Sequence, residues 1–306
     1  MVQGFLTRGI GLPPGALEGD LDHLYVSRLL EWVRASSLDA VVLLAHEQVY
    51  DDQGRLQRDR GSFHVPNGYV LELSRQHPEF LAGVSIHPGR PDALAELEQC
   101  VAGGAVLMKC LPNCQNIDCA DRRYTRFWER MAAAGLPLLV HTGGEVTVPV
   151  VRAAYADPRR LAWPLECGVT VIAAHCATRS LLWDPQYFFH FEAMTARYPR
   201  LYGDTSALLA ANHRFRGAIL QRCLRPPLAE RLVHGSDYPV PVWAHWAWLT
   251  GAVGWAEFRR WQRYPNPLER DYQLKRALGF PAEHFTRIQQ LMPPARRAGR
   301  RPLPGG

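Results

Sequence analysis

The chain has 306 residues, of which 47% are hydrophobic and 21% charged, and this balance excludes a disordered protein. Four of the charges behind its net charge of +6 are arginines of a Pro/Gly-rich tail, so the rest lacks the concentrated basic face of nucleic-acid-binding proteins. Seven cysteines, an odd number with no Cys-x-x-Cys pair, argue against a secreted disulfide framework and against a standard zinc knuckle.

Two segments bear on location. The N-terminus has no apolar run of signal-peptide length. The tryptophan-rich segment Val240–Phe258 is interrupted by Pro241, His245 and Glu257, which favours a buried cap or pocket wall over a membrane span. We therefore expect a cytoplasmic protein with neither a membrane nor a nucleic acid as partner.

Short apolar runs alternate with helix-like stretches along the chain, which is typical of parallel strands joined by helices. The predicted strands are Asp39–Ala45, Phe80–Ile86, Ala105–Met108, Leu136–Val140, Val169–Ala174, Leu201–Gly203 and Arg231–His234. The predicted helices are Asp22–Ser36, Asp92–Ala102, Arg122–Ala134, Val148–Ala156, Pro185–Tyr198 and Arg214–Leu224.

This alternation predicts the α/β class and right-handed crossovers. Seven strands are one short of a closed (β/α)8 TIM barrel, which we predict as a single domain over residues 1–290. Residues 291–306 are expected to form a disordered basic tail, containing Arg296, Arg297, Arg300 and Arg301. An open doubly wound sheet is the alternative, although no Gly-x-Gly-x-x-Gly follows any strand.

Ionisable or metal-ligand side chains follow every predicted strand. In a parallel barrel these strand ends converge on one mouth, where active sites are found. Polar residues also simply begin loops, and that explanation is adequate for Glu47 and for His87. It is weaker for the others, which lie at or just past the ends of apolar runs: His46, Lys109, His141, His175, Asp204 and Asp237.

Lys109 is one of only two lysines among 35 basic residues, so it is no routine surface charge. Its amine can serve as a base, a nucleophile or a carbamate, or it can form a buried ion pair with Asp204. Together with His141, His175 and Asp237 it suits a divalent metal, and water on zinc reaches a pKa of about 7.

Three of these segments carry a family resemblance. Leu139-Val-His141-Thr-Gly, Val171-Ile-Ala-Ala-His175-Cys and Val233-His-Gly-Ser-Asp237-Tyr-Pro resemble the fifth-, sixth- and eighth-strand motifs of the amidohydrolase superfamily. The most similar branch is the amidohydrolase-related group that includes decarboxylases of the aminocarboxymuconate-semialdehyde type. Val106-Leu-Met-Lys109-Cys-Leu-Pro resembles its fourth-strand element, and the resemblance spans about residues 20 to 290.

The resemblance implies a role for each matching residue. Asp237 would be a metal ligand and proton shuttle, and His175 would bind metal or polarise the substrate. His141 would be a ligand, and Lys109 would be carboxylated between two metals. The implied cofactor is a divalent metal, zinc before manganese or iron.

The sequence departs from the family at its start. The family's first strand ends in His-x-His, and this sequence contains no His-x-His. We therefore expect that the first strand is missing from this chain, whether clipped or lost. We expect such a chain to bind metal weakly. We also expect its open sheet edges to pair with those of other copies, which would give homo-oligomers.

The leading hypothesis is a metal-dependent hydrolase that acts on a small carboxylate, lactone or amide through an activated water. The alternatives are a non-oxidative decarboxylase on the same site, a Schiff-base aldolase using Lys109, and a degraded barrel that only binds. Arg179 and Arg214 are candidates for meeting a substrate anion. Trp243 and Trp246, soon after Asp237, are predicted to form an aromatic wall of the substrate pocket.

Overall fold

The computed structural model describes residues 20–61, 63–210 and 217–293. Within these ranges seven strands are found: β1 (Val41–Leu44), β2 (Phe80–Val84), β3 (Leu107–Cys110), β4 (Leu138–Val140), β5 (Val171–Ala173), β6 (Leu201–Asp204) and β7 (Leu232–Val233). The α-helices of the same ranges are α1 (Leu21–Arg34), α2 (Asn67–Gln76), α3 (Ala93–Ala102), α4 (Pro112–Gln115), α5 (Thr125–Ala133), α6 (Ala162–Glu166), α7 (Phe188–Arg197), α8 (Ala218–Cys223), α9 (His245–Leu249), α10 (Trp255–Arg263), α11 (Pro267–Ala277), α12 (Ala282–Thr286) and α13 (Ile288–Leu291).

The strands form one parallel sheet in which spatial order follows chain order, from β1 to β7. Every strand pairs with the next in a parallel register, for example Val41 with Phe80 and Asp204 with Val233. A doubly wound sheet reverses its strand order part-way, so that alternative is wrong. The sheet is that of a (β/α)8 barrel with one strand missing among the described residues, as predicted.

The gap in the sheet lies between β1 and β7, and we call it the strand gap. On the side of β7 that faces away from β6, the backbone is bonded by the C-terminal helices. His234 N donates to His284 O, and Leu232 O accepts from Arg287 Nη1. The edge of β7 is therefore partly covered, which is one way in which proteins protect a free strand edge.

The helices close the ring where the sheet does not. Asn266 precedes α11 and caps it, because its side chain accepts from Leu268 N and Glu269 N. Its amide also donates to Trp32 O and Ala35 O at the end of α1, at 2.7 and 3.1 Å. Glu269 accepts from the backbone N and the hydroxyl of Ser37. These polar contacts hold the first and last long helices of the described residues together across the strand gap, and we call them the α1–α11 contact.

The core lies between the sheet and the helices. In α5, Phe127, Trp128 and Met131 fall on one face of the helix and are buried against the sheet. Inside the ring, Leu107 packs with Ile288 and Met292 from the C-terminal end, which closes the bottom of the barrel. The polar strand-end residues lie at the opposite ends of the strands.

Some predicted elements differ. Of the helix predicted over 148–156, only a 3-10 turn at Ala153–Ala156 forms, since the backbone N of Val151 and of Arg152 donate to Asn113 O instead of to a helical turn. The segment 240–258 contains the short helices α9 and α10, and no helix of the described residues is long and apolar enough to span a bilayer. Arg214 and the four tail arginines lie outside the described residues, as does any structure of the tail beyond residue 293.

Candidate functional site

A cavity of about 1160 Å³ occupies the barrel interior and continues into the strand gap. Apolar side chains of the strands, such as Leu81, Leu139 and Ile172, line its lower part. Lys109 and Asp237 line its polar end, together with Asp204, Ser206 and Ser236. The structure thus brings three of the strand-end residues predicted from sequence into one cavity.

His141 and His175 come together behind this cavity wall because the loops after β4 and β5 approach closely. Gly143 has φ +83°, and a Cβ there would lie 2.1 Å from the carbonyl oxygen of Thr178, so only glycine fits. This approach brings the two imidazole rings to a centroid distance of 5.1 Å, at an interplanar angle of 70°. Both histidines are buried, at 3% and 4% exposure.

The hydrogen bonds around His175 define its tautomer. Ser206 Oγ donates to Asp204 Oδ1, because an ionised carboxylate only accepts. Toward His175 Nδ1, 2.8 Å away, the same hydroxyl therefore accepts, and Ser206 O at 3.2 Å is a second acceptor. Nδ1 must carry the proton, which leaves the lone pair of the ring on Nε2.

Asp204 serves this arrangement as a structural carboxylate. It is 5% exposed, and its Oδ1 accepts from the backbone N of His175 at 2.8 Å and of Ser206 at 3.0 Å. His175 itself has φ +58°, in the left-handed region that non-glycine residues seldom occupy. The carboxylate holds this strained turn in place, and such strain concentrates at functional sites.

Glu145 is a site residue that the sequence reasoning missed. Its Oε2 lies 3.4 Å from His141 Nε2, and its side chain is 5% exposed. Its Oε1 accepts from the backbone N of Val146 and Val148 and from both donors of Thr147. Burial acts to raise the pKa of Glu145, but the His141 imidazole and these hydrogen bonds outweigh it and lower the pKa to about 2.

Asp237 also has a left-handed backbone, with φ +60°, and is half-buried. Beneath its loop lies a buried ion pair on α11, in which Lys275 Nζ donates to Asp271 Oδ2 at 2.6 Å. The same ammonium donates to Gly235 O at 2.8 Å, two residues before Asp237. Lys275, the second lysine of the chain, thus anchors the loop that carries the predicted catalytic aspartate.

The remaining strand-end residues are buried and bonded. Glu47 pairs with Arg90 at 2.7 Å, and burial lowers the pKa of both His46 and His87 to about 4. His87 Nδ1 accepts from Gly89 N, so its Nε2 is the donor to Asn116 O. Glu47 and His87 therefore have structural roles, which agrees with the explanation favoured from the sequence, that these polar residues simply begin loops.

The predicted substrate-binding residues do not line the cavity that contains Lys109 and Asp237. Trp246 Nε1 donates to Ala210 O at 2.9 Å, and its ring packs against the core. The ring of Trp243 contacts that of His245 at 5.7 Å, and Arg179 Nη1 donates to Leu182 O. Substrate binding by Arg179, Trp243 and Trp246 stays a prediction.

The donor types at this end of the barrel suit a divalent metal, since imidazole and carboxylate are common ligands. Their placement does not complete a site. Among residues 20–61, 63–210 and 217–293, no three His, Cys, Asp or Glu side chains come together to hold a metal ion. Since His141, His175 and Asp237 do not form such a group of three, we derive no catalytic step through a metal.

The sequential parallel sheet, with His141, His175, Lys109 and Asp237 at or after strand ends, places the chain among the (β/α)8 barrel proteins. The family model described as Amidohydrolase matches residues 38–278, and the chain belongs to this family. Members of the family are generally metal-dependent. No curated protein sequence matches the chain significantly.

Solved structures are similar over almost the whole chain. An uncharacterised TIM-barrel protein from Bordetella bronchiseptica has 19% identity, covers 91% of both chains and gives a TM-score of 0.58. A putative 2-pyrone-4,6-dicarboxylic acid hydrolase from Pseudomonas putida has 16% identity, covers 89% of this chain and 85% of its own, and gives 0.52. A 2,6-dihydroxybenzoate decarboxylase has 15% identity, covers 90% and 95%, and gives 0.48. At such identities, the first two establish the fold alone.

Proposed function

We propose that the protein is a hydrolase of the amidohydrolase family that acts on a small carboxylate bearing a lactone or amide bond. The observation that carries the proposal is the shared cavity of Lys109, Asp204 and Asp237, connected through Ser206 to the His175–His141 pair. A cation that can hold the substrate carboxylate, a carboxylate that can take a proton from water and a fixed imidazole are groups that acyl hydrolysis can use.

The residues of the chain divide this work. Lys109 supplies the cation in the cavity that would pair with the substrate carboxylate. Asp237, held at its strained turn, is the carboxylate that would take a proton from the attacking water. His175 would offer the lone pair of its Nε2 as a ligand or as a hydrogen-bond acceptor, since Ser206 holds the ring proton on Nδ1.

A divalent metal, zinc first, is proposed as the cofactor because the family is generally metal-dependent. His141, His175 and Asp237 would hold it, and when bound it would lower the pKa of water. In the described arrangement these residues do not converge. A small-molecule substrate is the proposed partner.

The test uses the full chain, purified with Zn²⁺, Mn²⁺ or Fe²⁺ in the medium and then analysed for bound metal. Hydrolysis of carboxylated lactones and amides is followed as acid release, and CO2 release from aromatic carboxylates is followed separately. Asp237→Asn should lower hydrolysis by about 10²–10⁴-fold. Asp59→Asn, an exposed aspartate outside the cavity, is the matched control.

Substrate-dependent acid release that Asp237→Asn abolishes supports the proposal. CO2 release without hydrolysis would replace it with a decarboxylase. Absence of both reactions in protein that carries stoichiometric metal would contradict an enzymatic role and favour a binding protein.

A further inference from the structure

We infer that the substrate of the proposed hydrolase carries an unbranched hydrocarbon chain of medium length, which lies in the barrel interior below Lys109. The inference deepens the proposed function and rests on it for the reacting head group. The observation behind it is the character of the cavity wall, which changes from polar to aliphatic along the strands.

The aliphatic wall begins beside Lys109 itself. Leu139 is the register partner of Lys109 on β4, and Ile172 is the partner of Leu139 on β5. Leu107 lies two residues before Lys109 on β3, so its side chain points to the same face of the sheet. All four line the cavity, in which Lys109 is the only lysine or arginine among the described residues. A ligand whose carboxylate lies at Lys109 therefore has an aliphatic wall beside and below it.

Several side chains of this wall keep apolar surface exposed inside the barrel. Leu44 lines the cavity and is 40% exposed, and Leu81 and Leu139 are half-buried. Layers of such side chains normally fill the interior of a (β/α)8 barrel, because protein interiors are close-packed. At about 1160 Å³ the cavity is larger than most small-molecule sites, which measure about 300–1,000 Å³. An apolar chain bound here would cover the exposed aliphatic surface.

The helices enclose the cavity on the outside of the strand gap. Leu29 of α1 and Leu268 of α11 line it there, and they are 4% and 1% exposed. The α1–α11 contact holds these two helices together. A hydrocarbon chain in the cavity is thus shielded from water on the side where the sheet is open, and removal of apolar surface from water is what stabilises such a complex.

The register of the strands gives the depth of the cavity. Gly83 is paired with Leu107, so Leu81 lies two residues below Leu107 and four residues below Lys109. At about 3.3 Å per residue, the distance along the strands is roughly 13 Å. An extended chain of single bonds advances about 1.2 Å per bond, so a chain of about ten carbons reaches Leu81 from Lys109. This depth favours an alkyl chain, because a single aromatic ring would leave the lower wall uncovered.

Binding of straight-chain carboxylates to the full chain tests the inference without catalysis. Sodium hexanoate, octanoate and decanoate are titrated into the protein in an isothermal calorimeter. Each methylene that becomes buried should tighten binding about fourfold, so decanoate should bind at least about tenfold more tightly than hexanoate, at one site per chain. A smaller difference between the two ligands contradicts the inference.

Leu81→Phe tests where the chain lies. The larger side chain shortens the cavity at its lower end, so decanoate should bind at least about tenfold more weakly, whereas hexanoate should change less than about twofold. Leu182→Phe is the matched control and should change neither, because Leu182 is 63% exposed and does not line the cavity. Thermal unfolding verifies the fold, and Val42→Phe, at the register partner of Leu81, is used if Leu81→Phe does not fold. Undiminished decanoate binding by a folded variant contradicts the inference, since the chain then binds elsewhere.

The inference and the proposed function fail in different ways. A wild type that binds decanoate with the expected preference, but hydrolyses no carboxylated lactone or amide in the assay described above, refutes the proposed function alone. A wild type that hydrolyses these compounds but binds hexanoate and decanoate equally refutes the hydrocarbon chain alone.

Discussion

Replacing Lys275 by methionine tests the buried ion pair beneath the Asp237 loop. The substitution keeps a long unbranched side chain but leaves Asp271, which is 1% exposed, without its cation. It also removes the donor to Gly235 O. Breaking one side of a buried pair costs about 3–5 kcal/mol, because the remaining charge stays buried and uncompensated.

The expected loss is measurable. With an unfolding entropy of about 2.1 cal/mol/K per residue, this cost lowers the Tm of a chain of this size by roughly 5–8 °C. Urea unfolding followed by tryptophan fluorescence at pH 7.5 gives the free energy directly. Arg276→Met, at the next and exposed position of α11, is the control and should change it by less than about 0.5 kcal/mol.

The stability lost in Lys275→Met should depend on pH, because it depends on whether Asp271 is ionised. Burial raises the pKa of Asp271 to about 6, although Lys275 opposes the rise. A raised carboxyl pKa stabilises the fold fully below the unfolded pKa, and this contribution is lost as the pH rises through the folded pKa. The deficit of Lys275→Met should therefore be smaller at pH 5 than at pH 7.5, where Asp271 is ionised.

A double variant separates charge from packing. Asp271→Leu with Lys275→Met removes both charges and should recover most of the lost stability. If the double variant is as unstable as Lys275→Met, the cost arises from packing or from the Gly235 carbonyl. If Lys275→Met is no less stable than Arg276→Met, the ion pair contributes nothing and the reasoning is refuted.

Three other buried contacts described above lead to one prediction each. Ser206→Ala removes one acceptor of His175 Nδ1 and should lower hydrolysis about 10-fold with little loss of stability, and unchanged rates would count against its orienting role. His87, whose pKa burial lowers to about 4, stabilises the fold above pH 6.5 and loses this contribution as the pH falls through 4. His87→Asn should thus reduce the drop in unfolding free energy between pH 7 and 5 by roughly 2 kcal/mol, whereas the exposed His190→Asn should leave it unchanged. Arg287→Ala uncovers the free edge of β7 and should increase self-association in sedimentation experiments relative to the wild type at equal concentration; an unchanged mass would show that the edge is protected otherwise.

The barrel could be predicted from the sequence because its strands are short apolar runs with polar ends. Phe80–Ile86 was predicted where β2 spans Phe80–Val84, and Leu201–Gly203 where β6 spans Leu201–Asp204. These signals are local, since strands covered on both faces need apolar residues at every position. The helix predicted over 148–156 was wrong in most of its length, because a tertiary contact, in which Val151 N and Arg152 N donate to Asn113 O, outweighs the apolar spacing there.

The candidate site was predictable only in part. Lys109 stood out because lysine is scarce in this chain, yet the same scarcity applied to Lys275 on α11 and was not used. Glu145 follows His141 by four residues in a loop, and only the three-dimensional path of that loop returns its carboxylate to the imidazole. The sequence does not show in which direction the ring of Trp246 points, and in the structure its Nε1 donates to Ala210 O, so substrate binding by Trp246 stays a prediction.

The α1–α11 contact has a consequence for the order of folding. Each strand pairs with its neighbour in sequence, so the sheet can grow one β-α-β crossover at a time. The α1–α11 contact instead joins residues separated by 231 to 234 positions, and its closure pays the entropy of the longest loop in the molecule. It rests on a few polar bonds. We therefore expect the ring to close late in folding and this contact to open early in unfolding.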